Sequence, residues 1–319
     1  MAKNNMENGY KYMYFITAAV CIIIAAVIAV VLVFSDLHAD EGEKSVNFSD
    51  SITDVSSDTS SRASAVNNVV SVDVSDYVEQ TVQNDTLAEG ILAVISTTAP
   101  QKQNLDLTDI YSHKVKAYGL SSVDLYLNAE AIDALNRMMQ AFRDEQGLTN
   151  VIVNYAYTDL EQIKSRKTIA SLLDLASGRS VRLIVYPPEE GTMGTGKHAW
   201  FAENCHKYGF ILRYPADKDE KTGVEANATV FRYVGTVHAG YMKQNNLCLE
   251  EYIELLKNYT YQNPLIYTEK DTGIQYSIYY QKADVGDTTK IFVPQDRSYD
   301  VSGNGFDGFI VTVANVISK

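Results

Sequence analysis

The sequence predicts an α+β fold, and three observations carry that expectation. Residues 129–146 hold a helical apolar stripe that stops at a glycine. Residues 199–206 read as one helix face and 208–214 as a strand rich in aromatic and β-branched residues. Residues 263–319 alternate apolar and polar positions between turn formers.

The elements follow in chain order. Residues 13–34 form an uncharged apolar run, and a bilayer core takes about 20 such residues as a helix. The run is longer than the roughly 7–15 apolar residues of a cleaved signal peptide, so an uncleaved transmembrane helix is expected. Lys3 and Lys11 precede it, whereas Asp36, Asp40, Glu41 and Glu43 follow. That asymmetry predicts a single-pass membrane protein with residues 1–12 as a cytoplasmic tail and the rest outside the cell. Residues 35–104 turn to Ser, Asp, Asn and Thr and bury too little apolar surface to offset their ordering entropy, so a flexible extracellular stalk is expected. Its middle, 69–95, is richer in Val, Ile and Leu and suits a short strand or helix.

A folded domain is expected over 105–262. Ile132, Leu135, Met139 and Phe142 stand at i, i+3, i+7 and i+10, with Gly147 as the stop. Residues 151–153 read as a short buried strand and 164–176 as another helix. Residues 249–259 read as an amphipathic helix with Tyr252, Leu255 and Leu256 on its buried face. The last part, 263–319, reads as a β extension with strands near 275–280, 290–293 and 309–313.

The formal net charge of −13 over 319 residues argues against a nucleic-acid partner, because phosphate binding wants a basic surface. Of the three cysteines, Cys21 lies in the apolar run; Cys205 and Cys248 are expected as two separate buried thiols. No CxxC pattern and no Gly-x-Ser-x-Gly elbow is present. His198 and His206 are eight residues apart, about 12 Å along a helix, too far to share one ion as neighbours.

The phrases WFAENCHKYGFILRYP (200–215), TG (222–223), FRYVG (231–235) and LEEY (249–252) resemble the closing half of the VanY-like D-alanyl-D-alanine carboxypeptidase family. The resemblance implies a small antiparallel sheet with helices, a zinc ion, and a peptidoglycan stem peptide as substrate. It also implies where the chemistry would sit. The family motif T-G-I-A-Y-E-P-W-H-F-R-Y-V-G, laid on residues 222–235, puts its general-base Glu on Asn227 and a zinc-binding His on Val230. An amide has no carboxylate to take a proton from water, and a Val side chain offers a metal no lone pair.

The first substrate motif, S-x-Y-R-s-x-x-x-Q, anchored on Gln162, puts its Ser on Asn154 and its carboxylate-binding Arg on Tyr157, which cannot make a forked salt bridge. A third motif, S-x-H-x-x-G-x-A-x-D, anchored on Ser177, puts its two zinc ligands on Arg179 and Tyr186. On this reading the groove is lined by Asn154, Tyr157, Gln162, Ser177, Arg179, Tyr186 and Asn227. No catalytic residue and no cofactor are then expected, with Arg179, Tyr186 and Val230 at the family's ligand positions. The expectation is a pseudo-enzyme that binds a peptidoglycan stem peptide or a cell-envelope partner. Two alternatives remain open: an active carboxypeptidase with displaced zinc ligands drawn from His198, His206 or His238, and a structural scaffold or sensor.

Overall fold

The structure is a computed structural model, and it describes residues 74–96, 105–165 and 170–315. The expected transmembrane helix and cytoplasmic tail lie outside the described residues. Among the described residues no helix is long and apolar enough to cross a membrane.

The strands are β1 (Tyr77–Gln83), β2 (Leu107–Asp109), β3 (Gly119–Leu120), β4 (Tyr126–Asn128), β5 (Val151–Tyr155), β6 (Ser180–Val185), β7 (Phe210–Tyr214), β8 (Asn227–Tyr233), β9 (Leu265–Thr268), β10 (Gln275–Lys282), β11 (Thr288–Pro294), β12 (Tyr299–Gly303) and β13 (Gly308–Ala314). The helices are α1 (Ile110–His113), α2 (Ala129–Gln146), α3 (Leu160–Ser165), α4 (Trp200–Asn204), α5 (Asp219–Thr222), α6 (Thr236–Asn245) and α7 (Leu249–Leu256).

Helix α2 forms where the apolar spacing predicts it. The Asn128 side chain accepts from the Ala131 N–H at its start, and Gly147 takes the left-handed conformation (φ 72) at its end. Ile132, Leu135, Met139 and Phe142 are all buried. They pack on one face of a five-stranded sheet of order β3-β5-β6-β8-β7, against Val151, Val153, Val181, Leu183, Phe210 and Phe231. Strand β3 pairs parallel with β5, and the remaining neighbours pair antiparallel. The period of two in β6 thus puts Val181, Leu183 and Val185 into the core and leaves Ser180, Arg182 and Ile184 for the opposite face.

A second sheet, of order β12-β13-β10-β9, shares a core with α6 and α7 through Met242, Tyr252, Leu256, Ile278 and Ile310. The expected strands of the C-terminal part are present as β10, β11 and β13, each two or three residues longer. Cys205 and Cys248 are buried and unbridged.

Two expectations are corrected. Residues 77–95 are not flexible stalk but hold the short strand and helical turn that their Val, Ile and Leu content suits: β1 pairs antiparallel with β11 from Tyr77↔Pro294 to Gln83↔Thr288, residues Asn84–Ala88 form a 3-10 turn, and Leu92, Ala93, Val94 and Ile95 are buried. The predicted helix over 164–176 is also different, with α3 ending at Ser165 and a 3-10 helix over Ala170–Ser177. That 3-10 segment packs Leu172, Leu175 and Ala176 against Ile95 and Ile163, and tertiary burial outweighs local helix propensity there.

Candidate functional site

The polar face of the five-stranded sheet carries two clusters. The first joins β5, β6 and β8. The Arg182 Nε donates to Thr229 Oγ1 at 3.3 Å, and its Nη1 reaches Asn154 Oδ1 at 3.5 Å. The Thr229 hydroxyl and backbone N–H both donate to Asn227 Oδ1, at 2.6 and 2.9 Å, and Asn227 Nδ2 donates to Ser171 Oγ at 3.0 Å. The Arg182 guanidinium lies 5.9 Å from the ring centre of Tyr155, its partner across the β5–β6 pair. On the other side, Arg182 is paired with Val230 of β8, which is fully buried.

The second cluster is buried and holds formal charges. Asp174 accepts from Arg213 Nε at 2.9 Å, from Arg232 Nη1 at 3.2 Å and from the Ser180 hydroxyl. Arg213 also forks onto Glu250 at 2.6 and 3.1 Å, whereas Arg232 Nη2 donates to the Ile91 and Ala93 carbonyls. Burial by itself would raise the Asp174 carboxyl, but Arg232 and Arg213 outweigh it and hold it down at about 2. Burial lowers the Arg232 guanidinium below its usual range. It acts on Arg213 in the same sense, yet Asp174 and Glu250 together overcome it and raise that group. The cluster therefore ties the 91–93 segment to the sheet.

The sequence-predicted site residues do not all meet. Asn154 and Asn227 are brought together through Arg182 and Thr229. Arg179 and Tyr186 are not: they flank β6, seven residues apart, or about 23 Å in extended chain. They cannot line one narrow groove, which corrects that part of the expectation. Arg179 donates to Asn128 Oδ1 at 2.9 Å, stands 4.0 Å from Glu130, and lines a different cleft of about 440 Å³ with Tyr233, Tyr276 and Asp300.

Tyr186 is 60% exposed at the far end of the strand. Ser177 is buried, and its hydroxyl accepts from the Arg179 N–H. Gln162 is exposed on α3. Tyr157 follows β5 with its N–H on the Tyr126 carbonyl, and burial, then Asp159, push its phenol up, so it stays neutral.

The three histidines offered as displaced ligands each have other surroundings. His198 Nε2 is 3.0 Å from Asn150 Oδ1. His238 is buried between Tyr252 Oη and Thr312 Oγ1, and burial lowers it to about 4. His206 lines a separate pocket with Lys207, Lys243 and Glu269.

Sequence reasoning missed Arg182, Thr229 and Ser171, and the whole Asp174 cluster. A signal was present for the charged ones. Arg182 in VRLIV, Arg213 in FILRY and Asp174 in LLDLA are charges inside apolar runs, and a charge is buried only with a partner.

Comparison with known proteins gives three findings. The model of the VanY family, described as D-alanyl-D-alanine carboxypeptidase, matches residues 159–236. A D-alanyl-D-alanine carboxypeptidase of Enterococcus faecium is 32% identical over 248 residues, covering 74% of this chain and 78% of the relative. Among solved structures, the vancomycin resistance D,D-dipeptidase VanXYg, in complex with a D-Ala-D-Ala phosphinate analog, is similar in fold. Its TM-score is 0.61 at 22% identity, over 75% of this chain and 99% of that one.

The expectation of no cofactor is overturned by the family. A VanY D,D-pentapeptidase variant is solved in complex with Zn(II), with a TM-score of 0.39 and 22% identity over 51% of this chain and 98% of that one. A catalytic zinc takes three protein ligands and an open position. Among the described residues no group of three or more His, Cys, Asp or Glu is placed to hold a metal, so the described side chains do not fit a centre of that kind.

Proposed function

The chain belongs to the VanY D-alanyl-D-alanine carboxypeptidase family, and from that premise we propose that it binds a peptidoglycan stem peptide on the β5–β6–β8 face without cutting it. The observation that carries the reading is Asn227. At the position of the family's general base stands an amide whose oxygen accepts from Thr229 and whose nitrogen donates to Ser171. No carboxylate in that network can take a proton from water.

The geometry of β6 supports a different register for the third motif. Moved four residues toward the N-terminus, its Gly falls on Gly178, which has φ +65, and its small residue on Ser180. Its last position then falls on Arg182, beside Val230. The residues that take part in binding are on this register Asn154, Arg182, Asn227 and Thr229, while Tyr186 and Arg179 stand apart. The proposal extends to location: residues 13–34 anchor the chain in a membrane with the described domain outside the cell. Retention in the membrane fraction after alkaline extraction tests that part, and release into the supernatant would refute it.

The main test uses the full chain and a stem pentapeptide ending in D-Ala-D-Ala, with zinc added and with zinc chelated. Calorimetry is expected to show binding, and an assay for free D-Ala to show none released in either condition. Release of D-Ala above the protein-free rate would overturn the reading in favour of an active carboxypeptidase. Absence of binding would overturn it in favour of a scaffold.

A further inference from the structure

Arg182 is short of partners in a way that points to a ligand. Among the described residues it is the one arginine held back from full exposure that has no carboxylate within salt-bridge distance. Arg143 has Asp144, Arg179 has Glu130, Arg213 and Arg232 have Asp174, and Arg297 has Asp76. Arg182 is half-buried, and the neutral oxygens of Thr229 and Asn154 only partly replace the hydration that its guanidinium gives up.

The hydrogen-bond inventory agrees. A guanidinium has five N–H donors, and here Nε and Nη1 make one bond each, at 3.3 and 3.5 Å, beyond the usual 2.7–3.2 Å range. Among the described residues the Nη2 nitrogen has no acceptor, yet it is not among the sealed, unpartnered polar atoms, so it is open to an incoming one. The Asn154 amide oxygen faces Arg182, and among the described residues its Nδ2 has no acceptor. The Tyr155 ring lies beside the guanidinium, its centre 5.9 Å away, at the outer edge of cation–π range. A planar fork with two spare donors and one amide beside it matches a planar, two-oxygen anion. That is the geometry of a carboxylate.

We propose that Arg182, assisted by Asn154, anchors the free terminal carboxylate of the peptide that this face binds. The assignment rests on the groove reading above and adds to it the residue that selects peptide acids over peptides blocked at that end. Tyr157 has no charge with which to do so.

The test compares a D-Ala-terminated stem pentapeptide as free acid with the same peptide as its C-terminal amide, titrated by calorimetry into the full chain and into its R182Q and R182K variants. The wild-type chain is expected to prefer the acid by tenfold or more, R182Q to bind both alike, and R182K, which keeps the charge but not the fork, to fall between. A merely structural role would weaken both peptides together and leave their ratio unchanged. Equal binding of acid and amide by the wild-type chain, or an unchanged ratio in R182Q, overturns the assignment of Arg182 while leaving the groove reading in place. Failure of both peptides to bind the wild-type chain overturns the two together. Should R182Q not fold, R182K decides: a reduced ratio supports the assignment and an undiminished one refutes it.

Discussion

Asp174→Asn is expected to lower the thermal midpoint of the domain by roughly 6–12 °C. The carboxylate is 1% exposed and serves both Arg213 and Arg232. Asparagine keeps the shape and one acceptor but removes the charge. Arg213 retains Glu250 at 2.6 Å, whereas Arg232 is left with carbonyl oxygens alone. One buried cation is orphaned rather than two, so the low end of the roughly 3–5 kcal/mol cost of breaking a buried pair applies, about 3 kcal/mol. For a domain of this size each kcal/mol shifts the midpoint by about 2–4 °C, which gives the range stated.

Calorimetry of the full chain near neutral pH measures the loss, and its pH dependence checks the cause. The folded carboxyl sits at about 2, below its ordinary 3.8. Its contribution is therefore complete above 3.8 and is lost as pH falls through about 2. The gap between wild type and variant should narrow over that window. A loss below about 2 °C, or a gap that does not change with pH, would refute the account of Asp174 as the counter-charge of Arg232.

His238 is lowered by burial to about 4, so between its ordinary 6.5 and about 4 the unfolded chain binds a proton that the folded chain does not. Stability should fall as pH drops through that window, by up to roughly 3 kcal/mol, and His238→Gln should flatten the fall in an acid melting series. Lys290 meets Glu79 at 2.8 Å with both side chains largely exposed, so Lys290→Ala should leave the midpoint within about 2 °C. In the peptide-binding assay Asn227→Ala should weaken affinity by about three- to tenfold, for loss of roughly one net hydrogen bond's support to Thr229. Tyr186→Ala, at the other end of β6, should change affinity by less than about twofold; the opposite ranking would return Tyr186 to the groove.

The legibility of the sequence differed by element. Helix α2 could be read because apolar stripe and glycine stop agree within one stretch of chain, and β10, β11 and β13 because alternation and turn formers agree. For β1 only a short strand or helix somewhere in 69–95 could be read, not its bounds or its partner: YVEQTVQ is polar by composition, and β11 lies far along the chain. Pairing of that kind leaves no local mark. At the candidate site, Asn154 and Asn227 were legible because two motif windows had firm anchors. The third window rested on Ser177 and the apolar run VRLIVY, and a four-residue shift moves every position in it. Arg182 was passed over because it stood at a motif glycine in the register chosen, although its charge in an apolar strand marked it.

The pairing of β1 with β11 also sets a waiting time. Between Tyr77 and its partner Pro294 the ribosome must add 217 residues, which at about 5–20 residues per second takes on the order of 10–40 s. For that interval β1 has no strand to pair with, and Leu92 to Ile95 are separated from part of the surface that later covers them. The residues of β1 suit the delay: Val78, Glu79, Gln80 and Thr81 remain at the surface even in the finished fold. A nascent strand so easily wetted is a poor template for other chains.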